Sequence, residues 1–310
     1  MKCIHCYVGD ERFQKVDELK VPEVEAVMDQ LLARNCLYLT LTGGEFFVRP
    51  DALLLAKMAV NKGFATMIQS NGSLIREHTA VALAELPICA MEVSVYGLTP
   101  EVHDAVTNIK GSYKRTISGL KNLRKYNVPT GIKFVITQPS AHQAREAKKW
   151  GDEIGLPYTI SPQMVPARDG SNSNEQTDGF CNYVITAIAD VANKGQVDIQ
   201  KNLSYRRNCK PGINRVCISS IGKVKPCEFL PMELADLRVE TMSDAWNKNE
   251  WKEFREEIYA PREGCSGCSA KSYCHVCPAA AYLMGESFVA QPKRGCTTSY
   301  EFKELWEKNL

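Results

Sequence analysis

Two hydrophobic periods alternate along the first half of the chain and predict helices and strands in turn. Apolar residues at helical spacing predict five helices, the first starting at Pro22 and the others at about 51–63, 75–86, 113–126 and 141–153. Shorter apolar or alternating runs between them predict five strands, at 36–41, 64–69, 88–96, 131–137 and 158–161. Strands joined by helices of this length are typical of parallel sheets with right-handed crossovers, so the predicted class is α/β.

Turn-forming and polar residues follow these strands on the side where a parallel barrel gathers its loops. They are Gly43-Gly44-Glu45, Ser70-Asn71-Gly72, Ser94 and Arg168-Asp169-Gly170. Taken singly, each group is explained by turn chemistry, because Gly and Asn accept positive φ. Taken together at one rim, they indicate a ligand site, because the carboxyl ends of parallel strands meet there.

Length and charge narrow the possible functions. A chain of 310 residues can bury a large core and form two domains, or one domain with an appendage. The net charge of +2 gives no reason to expect a nucleic-acid or membrane partner, and the basic residues of the 113–126 helix are interpreted as a solvated face. The chain has no long apolar run and no signal-peptide pattern, so a cytoplasmic location is expected.

The thirteen cysteines are the unusual feature of the composition. In a reducing compartment they are not expected to form disulfides, and metal ligation is the leading explanation. Eight of them lie between Cys209 and Cys296, whereas Cys36, Cys89 and Cys181 are interpreted as plain thiols. Spacing alone fits two four-thiolate zinc sites as well as two iron–sulfur clusters.

The chain starts with Cys3-x2-Cys6 followed by Tyr7, which by itself is typical of half a zinc site or a redox pair. With one more cysteine four positions before Cys3, this loop resembles the cluster-binding loop of radical S-adenosylmethionine (SAM) enzymes. Thr42-Gly43-Gly44-Glu45 is similar to the family's GGE motif, and Val93–Gly97 with His103-Asp104 is similar to its serine and His-Asp segment. We therefore expect the native chain to extend upstream, where a further strand would also cover the edge of the 36–41 strand.

The resemblance implies a 4Fe-4S cluster at Cys3 and Cys6 that binds SAM. It further implies that Gly43, Gly44 and Glu45 bind the SAM amino group, that Ser94 contacts the ribose region, and that Asn71 belongs to the same cofactor site. Relatives place an arginine for the SAM carboxylate where this chain has Thr107. Several substitutes remain open for that role: water, Lys110, Lys133 or Arg168.

The cysteine spacing after residue 200 resembles the SPASM domain. The run is Cys209-x7-Cys217, Gly222-x4-Cys227, Cys265-x2-Cys268-x5-Cys274-x2-Cys277 and then Cys296, with x2 before Cys277 where the pattern has x3. The resemblance implies two auxiliary 4Fe-4S clusters. The first would be held by Cys209, Cys217, Cys227 and Cys277, and the second by Cys265, Cys268, Cys274 and Cys296. Four thiolates at each favour electron transfer, and His275 is interpreted as an exposed loop residue.

These observations predict a partial (β/α)6 TIM-like barrel that lacks its first strand, followed by a small cysteine-rich SPASM domain. The predicted segments are a barrel, a linker with a bridging helix, the SPASM domain and a C-terminal helix, at 1–170, 171–200, 201–298 and 299–310. The implied activity is hydrogen abstraction from, and cross-linking of, a ribosomal peptide or small protein, with a flavodoxin or ferredoxin as electron donor. The alternatives are a sulfatase-type protein maturase, a tetrapyrrole side-chain decarboxylase, and a non-catalytic iron–sulfur or zinc protein.

Overall fold

The computed structural model describes residues 1, 3–9, 16–161, 165–169, 210–262, 264–274, 277–289 and 293–308. The chain divides into two compact units, Met1–Ile4 with Asp17–Gln163 and His5–Val16 with Met164–Leu310. The predicted bridging helix at about 182–194 lies outside the described residues, as do Cys181, Cys209 and His275. In the ranges that are described, no helix is long and apolar enough to cross a membrane.

The first unit is a five-stranded parallel sheet with the strands in chain order, flanked by helices. Its strands are β1 (Tyr38–Leu41), β2 (Ala65–Ser70), β3 (Ala90–Val95), β4 (Thr130–Val135) and β5 (Tyr158–Ser161). Its helices are α1 (Val21–Ala33), α2 (Ala52–Asn61), α3 (Glu77–Ala84), α4 (Pro100–Thr107), α5 (Ser112–Lys125) and α6 (Ala144–Ile154). Short 3-10 turns lie at Phe46–Val48 and Gln138–Gln143. The predicted α/β class with a partial TIM-like sheet is confirmed.

Alternation along the central strands separates a core face from a half-buried face. On the core face, Ile68 of β2 lies opposite Met91 of β3, and Val93 lies opposite Ile132 of β4. All four side chains are buried, whereas the positions between them are half-buried. Because side chains alternate across a strand, the half-buried positions share the other face of the sheet. That second face carries Gln69, Glu92, Ser94 and Lys133.

Five predicted helices are confirmed, and a sixth, α4, was not predicted. Its local signal is present in the sequence. Thr99 is the N-cap, and its hydroxyl accepts a 3.5 Å hydrogen bond from the Val102 N–H, while Pro100 occupies the first turn. The helix is only two turns long, so its apolar periodicity is too short to identify it.

The second unit contains a three-stranded antiparallel sheet and four helices in its described part. The strands are β6 (Cys217–Ile218), β7 (Lys223–Lys225) and β8 (Ala235–Asp236). The helices are α7 (Met242–Trp246), α8 (Asn249–Tyr259), α9 (Pro278–Leu283) and α10 (Lys293–Lys308), with a 3-10 turn at Lys271–Tyr273. The predicted C-terminal helix is therefore present, but it begins at Lys293.

Candidate active site

The carboxylate of Glu45 fixes the turn that follows β1. Its Oε1 accepts hydrogen bonds from the Phe47 N–H at 3.1 Å and from the Ser70 hydroxyl at 2.8 Å. Its Oε2 accepts a 2.8 Å hydrogen bond from the Asn71 N–H. Three donors use most of the acceptor capacity of one carboxylate. Glu45 thus ties the end of β1 to the end of β2, and its contact with a SAM amino group stays a prediction.

The two glycines before Glu45 leave their backbone accessible. Gly43 has a φ of +154°, which L side chains rarely adopt, and a Cβ at Gly43 or Gly44 would meet no atom within 4 Å. A ligand can therefore approach the peptide groups of this turn closely. An open backbone beside a fixed carboxylate suits a ligand that carries an ammonium group, so the residues present fit the amino end of SAM.

Asn71 shapes the turn that follows β2. The Asn71 side chain is buried, and its Oδ1 accepts a 2.9 Å hydrogen bond from the Ser73 N–H. The Thr116 hydroxyl of α5 donates to the Asn71 carbonyl oxygen at 2.9 Å. On the same helix, a Cβ added to Gly119 would come within 2.1 Å of the Gly72 carbonyl oxygen. Helix α5 therefore packs directly against the turn, and a cofactor contact by Asn71 stays a prediction.

A row of polar side chains crosses the half-buried face of the sheet beside Ser94. Thr42 Oγ1 donates to Gln69 Oε1 at 3.3 Å, and Gln69 Nε2 donates to Glu92 Oε2 at 2.8 Å. The Lys133 ammonium lies 3.6 Å from the same Glu92 oxygen, and Lys133 is the register partner of Ser94. Thr42, Ser94 and Lys133 were identified from the sequence, whereas Gln69 and Glu92 were not. The sequence signal that could have identified the whole row is the polar residue at every second position near the strand ends.

The Asp104 carboxylate anchors α4 to the start of α5. It accepts hydrogen bonds from the Ser112 hydroxyl at 2.7 Å and from the Tyr113 N–H at 2.8 Å. Burial opposes ionisation, but these donors outweigh it and lower the pKa of Asp104. Thr107 is fully buried, and its hydroxyl lies 2.6 Å from the Ser112 hydroxyl. The position where relatives carry arginine is therefore part of this structural network.

His103 is the most deeply buried titratable residue of helix α4. It is fully buried between the rings of Tyr96 and Tyr113, and its Nδ1 lies 3.0 Å from the Ser112 hydroxyl. Burial lowers the pKa of His103 to about 4, with the Asp104 carboxylate opposing the shift. The imidazole is therefore neutral near pH 7, which indicates a packing role for the His-Asp pair.

The two N-terminal cysteines belong to different compact units. In the first unit, Ile4, which follows Cys3, donates its N–H to the Val106 carbonyl oxygen at 3.0 Å. In the second unit, the Cys6 carbonyl oxygen accepts a 3.2 Å hydrogen bond from the Gly9 N–H, which forms a tight turn after the cysteine. Both thiols are partly buried. Their role as cluster ligands stays a prediction.

Tyr7 packs within the second unit against the segment that carries Cys227. Its carbonyl oxygen accepts the Arg168 N–H at 2.9 Å, and the Arg168 guanidinium lies 5.8 Å from the centre of its ring. The Tyr7 ring meets Phe229 edge-on at a centroid distance of 4.9 Å. Burial raises the pKa of Tyr7, and the Glu228 carboxylate adds to the shift, so the phenol stays protonated.

Three of the four cysteines predicted to hold the first auxiliary cluster are described. Cys227 and Cys277 pack against one hydrophobic cluster, formed by Leu230, Phe254, Ile258, Ala279 and Phe288. Burial raises the pKa of Cys227 to about 12, with smaller contributions from the Glu228 carboxylate and the Cys277 thiol. Burial raises the pKa of Cys217 as well. Apolar surroundings are the largest cause of the raised pKa of both thiols.

All four cysteines of the second predicted set are described. The Cys268 N–H donates to the Cys265 carbonyl oxygen at 3.4 Å, so the chain turns between these two thiols. The Tyr300 hydroxyl of α10 lies 3.5 Å from Cys268 Sγ, and this hydrogen bond lowers the pKa of Cys268. Cys296 lies one turn before Tyr300 on the same helix face, whereas Cys274 is exposed.

The described cysteines of the predicted cluster sets do not come together as a complete metal site. Across the ranges given above, no three His, Cys, Asp or Glu side chains lie close enough together to hold a metal ion. The fourth thiolate of the first set, Cys209, lies outside those ranges. The donors are nevertheless of the right chemical type, because thiolates suit both iron–sulfur clusters and zinc. The assignment of each cysteine to a cluster stays a prediction.

Two family models match the chain. Residues 1–139 match the Radical SAM superfamily, and residues 209–269 match SPASM, an iron–sulfur cluster-binding domain. The first match contains both N-terminal cysteines and the open glycine turn. The second begins at Cys209 and contains five of the eight predicted auxiliary ligands. Iron–sulfur clusters and SAM are therefore the cofactors of these domains.

Similar proteins cover almost the whole chain. The AdoMet-dependent heme synthase of Methanosarcina barkeri is 22% identical over 312 residues, which span 91% of this chain and 88% of that protein. The mycofactocin maturase MftC of Mycobacterium tuberculosis is 24% identical over 305 residues, which span 92% and 77%. The solved structure of native anSMEcpe with bound AdoMet and Cp18Cys peptide has a TM-score of 0.76 at 16% identity, covering 100% of this chain and 95% of that one.

Proposed function

Because this chain is a radical SAM protein with a SPASM domain, we propose that it abstracts hydrogen from a peptide or small-protein substrate and modifies that substrate oxidatively by forming a cross-link. The observation that carries the proposal is the turn at Gly43–Glu45, where open peptide groups stand beside a fixed carboxylate at the carboxyl ends of the strands. When bound, a reduced 4Fe-4S cluster and SAM supply a 5′-deoxyadenosyl radical.

The residues of the first unit would bind and orient SAM. The Gly43 and Gly44 peptide groups offer close contacts for the methionine end, and Ser94 lies on the half-buried sheet face toward which a ribose would point. Glu45 holds the turn in place before the ligand arrives, so little ordering is needed on binding. Cys3 would supply one thiolate from this unit.

The thiolates of the second unit would serve electron transfer. The two predicted sets of four cysteines would hold the auxiliary clusters. A substrate that has lost a hydrogen atom must still give up one electron and one proton to form a new bond, and these sites would take the electron. An external flavodoxin or ferredoxin would supply the electron that starts each cycle.

The choice of substrate rests on what similar proteins bind. The anSMEcpe structure holds a peptide together with AdoMet, and MftC is a maturase, which supports a peptide here. Decarboxylation of a tetrapyrrole side chain is the second candidate, because the heme synthase matches over most of both chains. The two reactions differ in product mass, since a cross-link removes two hydrogens, whereas hydrogen abstraction followed by decarboxylation removes carbon dioxide together with two hydrogens.

The test uses the full chain, reconstituted anaerobically with iron and sulfide and supplied with SAM and a strong reductant. We expect 5′-deoxyadenosine in the wild type and much less in Gly44→Leu, whose side chain would fill the open turn; Lys57→Leu, which places the same side chain at an exposed position of α2, is the matched control. Mass spectrometry after addition of a candidate peptide or a carboxylated tetrapyrrole then assigns the substrate. An iron-loaded wild type that forms no 5′-deoxyadenosine would contradict the proposal and support a non-catalytic iron–sulfur protein.

A further inference from the structure

We propose that Lys225 is a positioning residue whose buried ammonium raises the reduction potential of the auxiliary cluster held by Cys217, Cys227 and Cys277. This inference rests on the proposed function only in that these thiolates hold an iron–sulfur cluster. It assigns Lys225 an electrostatic role that the SAM reaction itself does not require.

Strand register places Lys225 directly across from one of these three cysteines. Cys217 on β6 and Lys225 on β7 are directly opposite each other in an antiparallel pair. Residues paired in this way point to the same face of the sheet, with Cβ atoms about 5 Å apart. Cys227 follows Lys225 by two positions, so the lysine lies between two predicted ligands along the chain.

Lys225 is a buried cation with one carboxylate partner among the described residues. Lys225 is 6% exposed, which is unusual for a lysine unless it is paired. Its Nζ lies 3.3 Å from Oε1 of Glu233, a side chain that is 41% exposed and therefore screened by water. A buried ammonium with one screened partner carries a desolvation cost. A cluster with four thiolate ligands is anionic and would provide the missing negative charge.

Reduction of the auxiliary cluster would strengthen its attraction to the Lys225 ammonium. An electron added to the cluster adds one negative charge, so a nearby buried cation stabilises the reduced state more than the oxidised state. Two other cations of this region, each also paired with a carboxylate, are more exposed than Lys225: Arg215 with Glu228, and Lys223 with Asp236. Their influence is therefore weaker and falls with salt, whereas that of Lys225 persists.

Lys223 provides a matched control for the experiment. It lies on the same strand and the same face as Lys225, but its side chain is 33% exposed and lies 3.0 Å from Asp236. The full chain is reconstituted anaerobically, and cluster midpoint potentials are measured by EPR-monitored redox titration without SAM. We expect Lys225→Met to shift one transition to lower potential and leave the others in place. Lys225→Arg, which keeps the positive charge, should leave that transition near its wild-type potential. Lys223→Met should shift the same transition far less than Lys225→Met does.

An iron-replete Lys225→Met protein with unshifted potentials would overturn the proposal, as would an equal shift in Lys223→Met. If Lys225→Met loses iron, Lys225→Gln is titrated under the same criterion. Loss of iron in Lys225→Gln as well would assign the lysine to folding and also overturn the proposal. Because SAM is absent from the titration, a potential shift can be found even if the protein makes no 5′-deoxyadenosine, so the two proposals fail separately.

Discussion

Replacing Glu45 with glutamine should release one backbone amide while leaving its neighbour bound. Glutamine keeps one acceptor oxygen, which can stay with the two donors on Oε1, the Phe47 N–H and the Ser70 hydroxyl. The new amide nitrogen would then face the Asn71 N–H, which loses its 2.8 Å bond to the carboxylate. Hydrogen bonds to charged groups contribute about 1.5–3 kcal/mol. At tenfold per 1.4 kcal/mol, the Asn71 amide should exchange about 10–100 times faster.

Hydrogen exchange with residue-level mass spectrometry measures this directly on the folded protein. The matched control is Glu23→Gln, because Glu23 Oε2 accepts a similar 2.8 Å bond from the Lys20 N–H at the start of α1. That variant should leave Asn71 unchanged. Unaltered exchange at Asn71 in folded Glu45→Gln, or equal acceleration at Phe47 and Asn71, would refute the assignment of the three donors.

Three further predictions concern packing, pH and iron. In Gly119→Ala, the new Cβ would meet a backbone oxygen at 2.1 Å, so stability should fall by about 1–3 kcal/mol in thermal denaturation without SAM, whereas Gly44→Ala, with no neighbour within 4 Å, should be neutral. The pKa of His103 is about 4 when folded, below its ordinary 6.5, so the stability that the neutral form supplies is present above pH 6.5 and is lost as pH falls toward 4. By pH 5 the loss should be about 2 kcal/mol, and melting curves from pH 8 to 5 should show a flatter dependence in His103→Phe. Cys227→Ser should lose about four irons by elemental analysis, while Cys89→Ser, an exposed thiol outside the predicted sets, should retain all of them; equal iron in both would contradict the ligand assignment.

Local periodicity was sufficient to predict the sheet and most helices. The alternation in β2 and β3 follows from burial of every second residue, as at Ile68 and Met91, and periodicity reports burial directly. Helix α4 was missed because two turns give too little periodicity, although Thr99 and Pro100 mark its start. Its cap was a stronger signal than its apolar residues.

Contacts between distant strands were not available from the sequence. Gln69 and Glu92 are 23 residues apart, and only the register of β2 and β3 brings them to 2.8 Å. The same holds for Glu45 with Ser70 and Asn71, where the motif indicated a ligand site but not the hydrogen bonds that shape it. Short motifs identify the residues of a site, whereas strand register decides which of them touch.

The early placement of Tyr7 in the chain has a consequence for biosynthesis. Its carbonyl group and ring are held by Arg168 and Phe229, so the surroundings of Cys6 cannot be completed until the ribosome has delivered the sequence through residue 229. A cofactor that bound Cys6 on a shorter nascent chain would lack these contacts. Completion of any cofactor site at Cys6 would therefore follow synthesis of residue 229.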